Sequence, residues 1–375
     1  MTEKLRAAVI GCGEMCRYHT YGYLNSARYE VVALADLSEQ AMKSFDQLFS
    51  EYDDYHPEHF TDAREMLEKS KPDVVSIGVW DLGHAPLTIA AAASGVKAVL
   101  CEKPMAESVG AAADMLLVCR RNGVKLTIGH QRRFLPSWNL AKQMIADGEI
   151  GDVKLMTCGA SHGLPPFASH QTDMFRYLLG DVECTWVMGN VERETDQWAR
   201  GVPIEDRALA VFGFENDAQA MILCDHTPEF GYQARIYGSN GMIDLTVNDL
   251  KIMNGKTGGW QQHMPDGDFF KYGEDNFEML EACAAQARGI ADWISGAVPD
   301  YRGAGTHGYK ALEMLHAVYE SARTHTQVQM PLKTQVSPLG LMIDSGHLPV
   351  RYPGKYDIRT RLLRGENVTV DTDNT

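Results

Sequence analysis

The chain has 375 residues, 45% of them apolar and 23% charged, and carries a formal charge of -15 at pH 7. That length exceeds what one hydrophobic core usually supports, so two domains are expected. The negative charge, with no clustered run of Lys and Arg to offset it locally, speaks against a nucleic-acid or acidic-membrane partner.

Residues 1–6 run straight into an apolar strand, without the apolar core and small-residue cleavage site of a secretory signal. The alanine-rich stretch at 89–94 is closed by Gly95 and is far too short to span a bilayer. No membrane segment and a cytoplasmic location are therefore expected. Strands are predicted over 7–10, 31–35, 74–79, 98–101 and 125–128, each a continuous apolar run of the kind buried on both faces. Helical spacing fills the gaps at 38–49, 63–68, 86–94 and 109–121. Repeated strand-helix-strand units imply a parallel sheet with right-handed crossovers, hence an α/β, doubly wound Rossmann domain over residues 1–127.

Beyond residue 128 the rhythm changes. A helix predicted over 138–147 ends at Gly148, and strands follow at 153–160, 182–191, 208–214, 219–224, 234–237 and 242–246. The linkers Glu215-Asn216-Asp217 and Ser239-Asn240-Gly241 have hairpin-turn chemistry, so adjacent strands here are expected to be antiparallel. Long helices at 276–295 and 307–325 repeat apolar residues such as Leu312, Leu315 and Tyr319 at helical spacing. Residues 128–375 thus read as a substrate-binding and oligomerisation domain of α+β class with a large, mostly antiparallel open sheet. Its tail, 331–375, has no clear period and is expected to wrap the surface or a neighbouring subunit, with the polar 370–375 frayed.

Eight cysteines are scattered through apolar segments with no CxxC pair, which fits free thiols in a reducing compartment. Cys12 and Cys16 read either as a ligand pair or as small residues packed into a glycine-rich turn. Zinc sites need further ligands at short spacing, so no metal is expected.

Gly11-Cys12-Gly13-Glu14-Met15-Cys16 directly follows the first strand and opens a helix. Gly11 permits the tight turn, Gly13 lets backbone approach a pyrophosphate, and the helix start supplies amide donors. Cys16 stands where Gly or Ala is usual. A glycine turn without a ligand has the same pattern, but Asp36 ends the second strand at the position where a carboxylate accepts hydrogen bonds from ribose hydroxyls. The same carboxylate would repel a 2′-phosphate, and Leu37, Ser38 and Glu39 offer no cation to receive one, so NAD is favoured over NADP. A helix cap is the plain alternative for Asp36, with Ser38 equally suited beside it. Glu102-Lys103-Pro104 closes the fourth predicted strand, at the crevice where doubly wound sheets bind ligands. A lysine there is either a solvated surface charge or a group aimed at substrate.

The ordered set Ala8-Val9-Ile10-Gly11-Cys12-Gly13, His19, His84 and Cys101-Glu102-Lys103-Pro104 resembles the glucose-fructose oxidoreductase, inositol dehydrogenase and MocA family. Gly148-Glu149-Ile150-Gly151-Asp152-Val153, the run from His170 through Asp173 and Arg176 to Gly180, and Tyr237-Gly238-Ser239-Asn240-Gly241 extend the resemblance over roughly residues 5–332. The resemblance implies that Lys103 binds the substrate oxygen and that His170 is the general acid/base, a role suited to imidazole. Asp173, three residues on, would orient substrate or imidazole if the segment is helical, or simply be a first-turn acid.

The cofactor is then expected to meet Gly11, Cys12, Gly13, Glu14, Met15, Asp36, Trp80, His84, Glu102 and Lys103, and the substrate Lys103, Gln131, Arg133, His170 and Asp173. His130, Arg132 and His162 read more simply as domain-interface residues. Two departures stand out: Pro166 occupies the place of an Asp that many such dehydrogenases carry four residues before the histidine, and Trp80-Asp81 replaces Pro-Asn. The resemblance implies an NAD-dependent dehydrogenase or reductase of a sugar, sugar derivative or cyclitol, assembled as a homodimer or homotetramer. Its alternatives are a glycoside hydrolase or lyase that uses bound NAD for transient oxidation, and a non-catalytic NAD-responsive regulatory protein. The loops at 160–169 and 194–205 are expected to decide the substrate.

Overall fold

The computed structural model describes residues 4–226, 234–265 and 277–358. The apolar runs of the first third become β1 (Leu5–Ile10), β2 (Tyr29–Ala35), β3 (Tyr55–Phe60), β4 (Val74–Ile77), β5 (Ala98–Cys101) and β6 (Lys125–Ile128). Between them lie α1 (Glu14–Asn25), α2 (Glu39–Phe49), α3 (Ala63–Ser70), α4 (Asp81–Ala93) and α5 (Val109–Arg121). All the strands pair in parallel, in the order β3-β2-β1-β4-β5-β6. The chain reverses direction across the sheet between β1 and β4, so their carboxyl ends open the crevice that such sheets use for ligands.

No sequence pattern marks β3 in advance. Its residues, Tyr-His-Pro-Glu-His-Phe, lack an apolar run, and Pro57 cannot donate to a ladder, yet an edge strand tolerates both. Helix α4 begins at Asp81 rather than at Pro86. Gly83 N–H already donates to Trp80 O at 2.7 Å, so the first turn is wound before the proline.

The second sheet grows from β7 (Val153–Ala160), β8 (Cys184–Glu192), β11 (Arg207–Phe214), β12 (Gln219–Cys224), β13 (Ala234–Gly238), β14 (Gly241–Leu245), β15 (Leu250–Asn254), β16 (Gln261–His263) and β17 (Val328–Gln329). Their order is β16-β15-β14-β13-β7-β12-β11-β8-β17. The two turns singled out in the sequence close the antiparallel pairs β11/β12 and β13/β14. One neighbouring pair, β7/β12, is parallel, a correction to the expectation of antiparallel neighbours: the strands flanking it are hairpins, and it joins segments about sixty residues apart in sequence. Helices α6 (Pro136–Ala146), α7 (Ser169–Leu178), α8 (Phe277–Ser295) and α9 (Gly305–Thr324) complete this half.

Helix α9 covers one face of the sheet; a side chain at Gly189 of β8 would meet Val318 Cγ1 at 2.6 Å. Helix α8 reaches back to the first sheet. A Cβ on Gly22 of α1 would lie 2.6 Å from Cys283 O, and Tyr29 donates its hydroxyl to Ala287 O at 2.6 Å. The tail is more regular than its composition suggested. It forms α10 (Pro338–Asp344) and β18 (Tyr352–Asp357), which pairs in parallel with β9 (Thr195–Ala199); β9 in turn forms a hairpin with β10 (Val202–Pro203). The predicted fraying at 370–375 and the start of the helix expected at 276 lie outside the described residues.

Candidate active site

Gly11 has φ +93°, and a Cβ there would lie 2.6 Å from the carbonyl oxygen of Gly78, so the turn after β1 is possible only with glycine. Gly13 caps α1 with no side-chain hydrogen bond, which leaves the first-turn amides to a ligand. The unusual Cys16 fits because its partner is also a glycine: Cys16 Sγ lies 2.5 Å from where a Cβ on Gly78 would stand. Burial pushes the Cys12 and Cys16 thiols up, away from a reactive thiolate. Among the described residues no three His, Cys, Asp or Glu side chains are grouped to hold a metal ion.

Asp36 accepts from Cys12 N at 2.8 Å and from Ser38 N at 2.8 Å. Ser38, not Asp36, caps α2, accepting from Ala41 N at 3.2 Å. The carboxylate therefore braces the glycine turn and stands half-buried at the strand end.

From this point a cavity of about 1340 Å³ runs along the crevice. Gly11, Cys12, Gly13, Glu14, Met15, Asp36, Trp80, His84, Glu102 and Lys103 all border it. A glycine turn, free helix amides, a carboxylate at the second strand end and a long continuous cavity together fit a dinucleotide. Its two ends are chemically distinct. The Asp36 end is bordered by exposed side chains such as Leu37 and Leu48, whereas the Lys103 end is lined by the buried His84, Glu102 and Lys103.

At the buried end Glu102 links elements. Its carboxylate meets His19 Nε2 at 3.1 Å and accepts from Lys103 N at 3.1 Å. Burial alone would raise this carboxyl; the His19 hydrogen bond and the surrounding cations more than offset that and hold it below its ordinary value. The peptide bond between Lys103 and Pro104 is cis. Lys103 is 8% exposed, donates from Nζ to Pro166 O at 2.8 Å, and lies 5.4 Å from the centre of the Phe167 ring. Burial, then the positive field of Arg200, pushes its ammonium down to about 8. Pro166, at the place where many such dehydrogenases carry an Asp, thus presents its backbone carbonyl to Lys103. His84 rests between two carbonyls, with Nδ1 2.8 Å from Pro104 O and Nε2 3.1 Å from Val79 O, which fixes the turn carrying Trp80.

The segment Leu164–Ala168, a wide helical turn, leads directly into α7, so the same stretch of chain that touches Lys103 delivers His170. The His170 ring is buried and packs edge-on to His130, with centroids 5.7 Å apart. Burial, followed by the fields of Arg132, Lys103 and His130, holds it well below the ordinary imidazole range.

Of the expected substrate groups, Lys103 borders the cavity, whereas His170, Gln131, Arg133 and Asp173 lie outside its lining. Arg133 is fully buried. Its Nε donates to both carboxylate oxygens of Asp173 at 2.9 Å, while its terminal nitrogens reach Asp181 at 2.8 and 3.1 Å. The expectation that Arg133 and Asp173 contact substrate is corrected accordingly: each is committed to the other, because a buried charge persists only when paired. Burial alone would raise the Asp173 carboxyl, but Arg133 and His130, whose Nδ1 is 3.6 Å away, hold it low. Gln131 is 2% exposed and donates toward Met279 Sδ at 3.4 Å, facing α8 instead of the crevice.

Sequence reasoning missed Arg200 and Asp81. Arg200 borders the cavity from the turn between β9 and β10, and Asp81 lies buried in the first turn of α4, 3.7 Å from Arg200 Nη1. The signals available were the loop at 194–205 and the unusual Trp80-Asp81 pair.

Residues 5–130 match the oxidoreductase family with an NAD-binding Rossmann fold, and residues 166–330 match its C-terminal alpha/beta domain. The chain is 24% identical to a D-apiose dehydrogenase of Paraburkholderia graminis over 372 residues, covering 92% of this chain and 94% of that one. It is 27% identical to an NAD-dependent scyllo-inositol 2-dehydrogenase of Bacillus subtilis over 261 residues, 65% of this chain and 74% of that one. A levoglucosan dehydrogenase solved with NADH and levoglucosan shares the fold with a TM-score of 0.74 at 19% identity, over 88% of this chain and all of that one.

Proposed function

Given that the chain belongs to the glucose-fructose oxidoreductase, inositol dehydrogenase and MocA family of NAD-binding oxidoreductases, we propose that it transfers a hydride between NAD(H) and a secondary alcohol or ketone of a sugar, sugar derivative or cyclitol. The observation that carries this reading is the single cavity joining the Asp36 carboxylate and glycine turn to the buried Lys103 ammonium. The dinucleotide supplies the hydride acceptor. Lys103 binds the substrate oxygen and stabilises alkoxide charge as the hydroxyl proton leaves. His170, kept neutral by its surroundings, takes that proton and returns it in the reverse direction. Arg133 and Asp173 act behind it as a rigid support. Measuring NADH formation across a panel of monosaccharides, their derivatives and cyclitols tests the reading; no NADH from any of them contradicts it.

Asp36 accounts for NAD as the preferred dinucleotide. Asp36→Ala weakens NAD binding by about 10- to 100-fold, the value of charge-assisted hydrogen bonds, and narrows the gap to NADP. Fluorescence titration with NADH and NADPH checks this, and an unchanged ratio of the two affinities contradicts it.

The chain also assembles as a homo-oligomer in this reading. On the face of the second sheet opposite α9, Met188 and Leu209 remain 54% and 41% exposed, in line with Val211, Met221 and Leu223 on paired strands. Leu209→Lys together with Met188→Lys yields monomers by light scattering after gel filtration; an unchanged assembly, or a monomeric parent, rules this surface out.

A further inference from the structure

Arg200 and Gly201 form the two-residue turn between β9 and β10, with φ +51° and +82°. Such turns favour Asn and Gly, and an arginine at a left-handed position needs outside support. That support comes from the far end of the chain. Asp357 of β18 accepts from Arg200 N at 3.1 Å and from Gly201 N at 2.8 Å. On its other side the turn leans on Trp80, whose ring lies 3.5 Å from where a Cβ on Gly201 would stand.

The turn aims Arg200 into the Lys103 end of the cavity, with its side chain 19% exposed. Its guanidinium makes no hydrogen bond among the described residues. The carboxylate it approaches, Asp81, stays 3.7 Å away, and both Asp81 oxygens are buried without a hydrogen bond. The cations Arg200 and Lys103 border the same end of the crevice, and after burial Arg200 is the strongest influence disfavouring charge on Lys103, in a chain of net charge -15. A neutral polyol employs one of them, at the oxygen that becomes an alkoxide. A substrate carrying a carboxylate near its secondary alcohol employs both, and the guanidinium fork matches a carboxylate in shape.

We propose that the substrate is a sugar-type hydroxy acid whose carboxylate is bound by Arg200 while Lys103 holds the hydroxyl to be oxidised. Asp357 is a positioning residue that acts through the Arg200 turn. The carbinol carbon gives a hydride to NAD, its hydroxyl proton goes to His170, and a keto acid leaves. This inference rests on the redox reading above and narrows its substrate class.

The test pairs aldonates and uronates with the corresponding neutral sugars. Turnover with NAD and quenching of bound NADH fluorescence are read separately. The parent enzyme is expected to favour the acids in both assays. Arg200→Gln raises KM for the acids about 100-fold, with a smaller effect on kcat, and removes the preference for acid over neutral sugar. Arg200→Lys restores part of it, and Asp357→Asn raises acid KM about tenfold. Retained NADH binding establishes that each variant is folded. Turnover of neutral sugars without acid preference overturns this inference and leaves the redox reading intact. Arg200-dependent acid binding without turnover sustains the anion site and sinks the redox reading, whereas no binding by either substrate class overturns both.

Discussion

Lys103→Met lowers kcat by about 10³-fold, the scale seen when a single preorganised donor is removed from developing oxyanion charge. Methionine matches the length and apolar stem of the lysine, so the packing against Phe167 survives while the ammonium is lost. NADH affinity is expected to hold, since the ammonium acts on Pro166 O and on the substrate and not on the glycine turn. Steady-state rates and an NADH titration on the same preparation separate the two effects; a kcat within tenfold of the parent removes Lys103 from the chemistry. The parent also carries a pH signature. Burial and Arg200 bring the ammonium down to about 8, so kcat/KM for alcohol oxidation falls as pH rises through that value and the cation is lost. Any residual activity of Lys103→Arg lacks this alkaline limb, because guanidinium stays charged.

His170→Asn costs about 10² to 10⁴ in kcat, the usual contribution of a positioned acid or base. Burial and the cations Arg132, Lys103 and His130 all disfavour the imidazolium. Only the neutral ring accepts a proton, so the acid limb of the parent lies below the pH of about 6.5 at which a free imidazole titrates. In His170→Asn that limb disappears along with the rate. A variant that keeps both would show that proton transfer runs through another group.

Much of the first sheet was legible because strands buried on both faces must be apolar along their whole length, and because the tight turn at Gly11 admits nothing but glycine. The edge strand β3 and the first turn of α4 were not, since Pro57 and Pro86 break the expected patterns at places where neighbouring chain or solvent tolerates them. The hairpins of the second sheet announced themselves through their Asn and Gly turns. The β9/β10 hairpin did not, because its turn uses an arginine in a backbone conformation that sequence assigns to glycine or asparagine. Its stabilising partner, Asp357, lies 156 residues away in a tail with no period of its own.

Among the site residues, those named for the nucleotide end follow from local chain geometry and all border the cavity. Arg133 and Asp173 carry the residue types of a substrate site, and only three-dimensional pairing reveals that each neutralises the other, forty residues apart.

The back-to-back contact at Gly22 and the Tyr29 bond to the main chain of α8 bear on how the molecule moves. They rivet the helix that begins at the glycine turn to the half of the chain that carries the second sheet. Wide swinging of one half against the other would have to break that rivet. Opening the crevice by parting the two halves would separate Gly22 from Cys283 and cost the Tyr29 bond to Ala287.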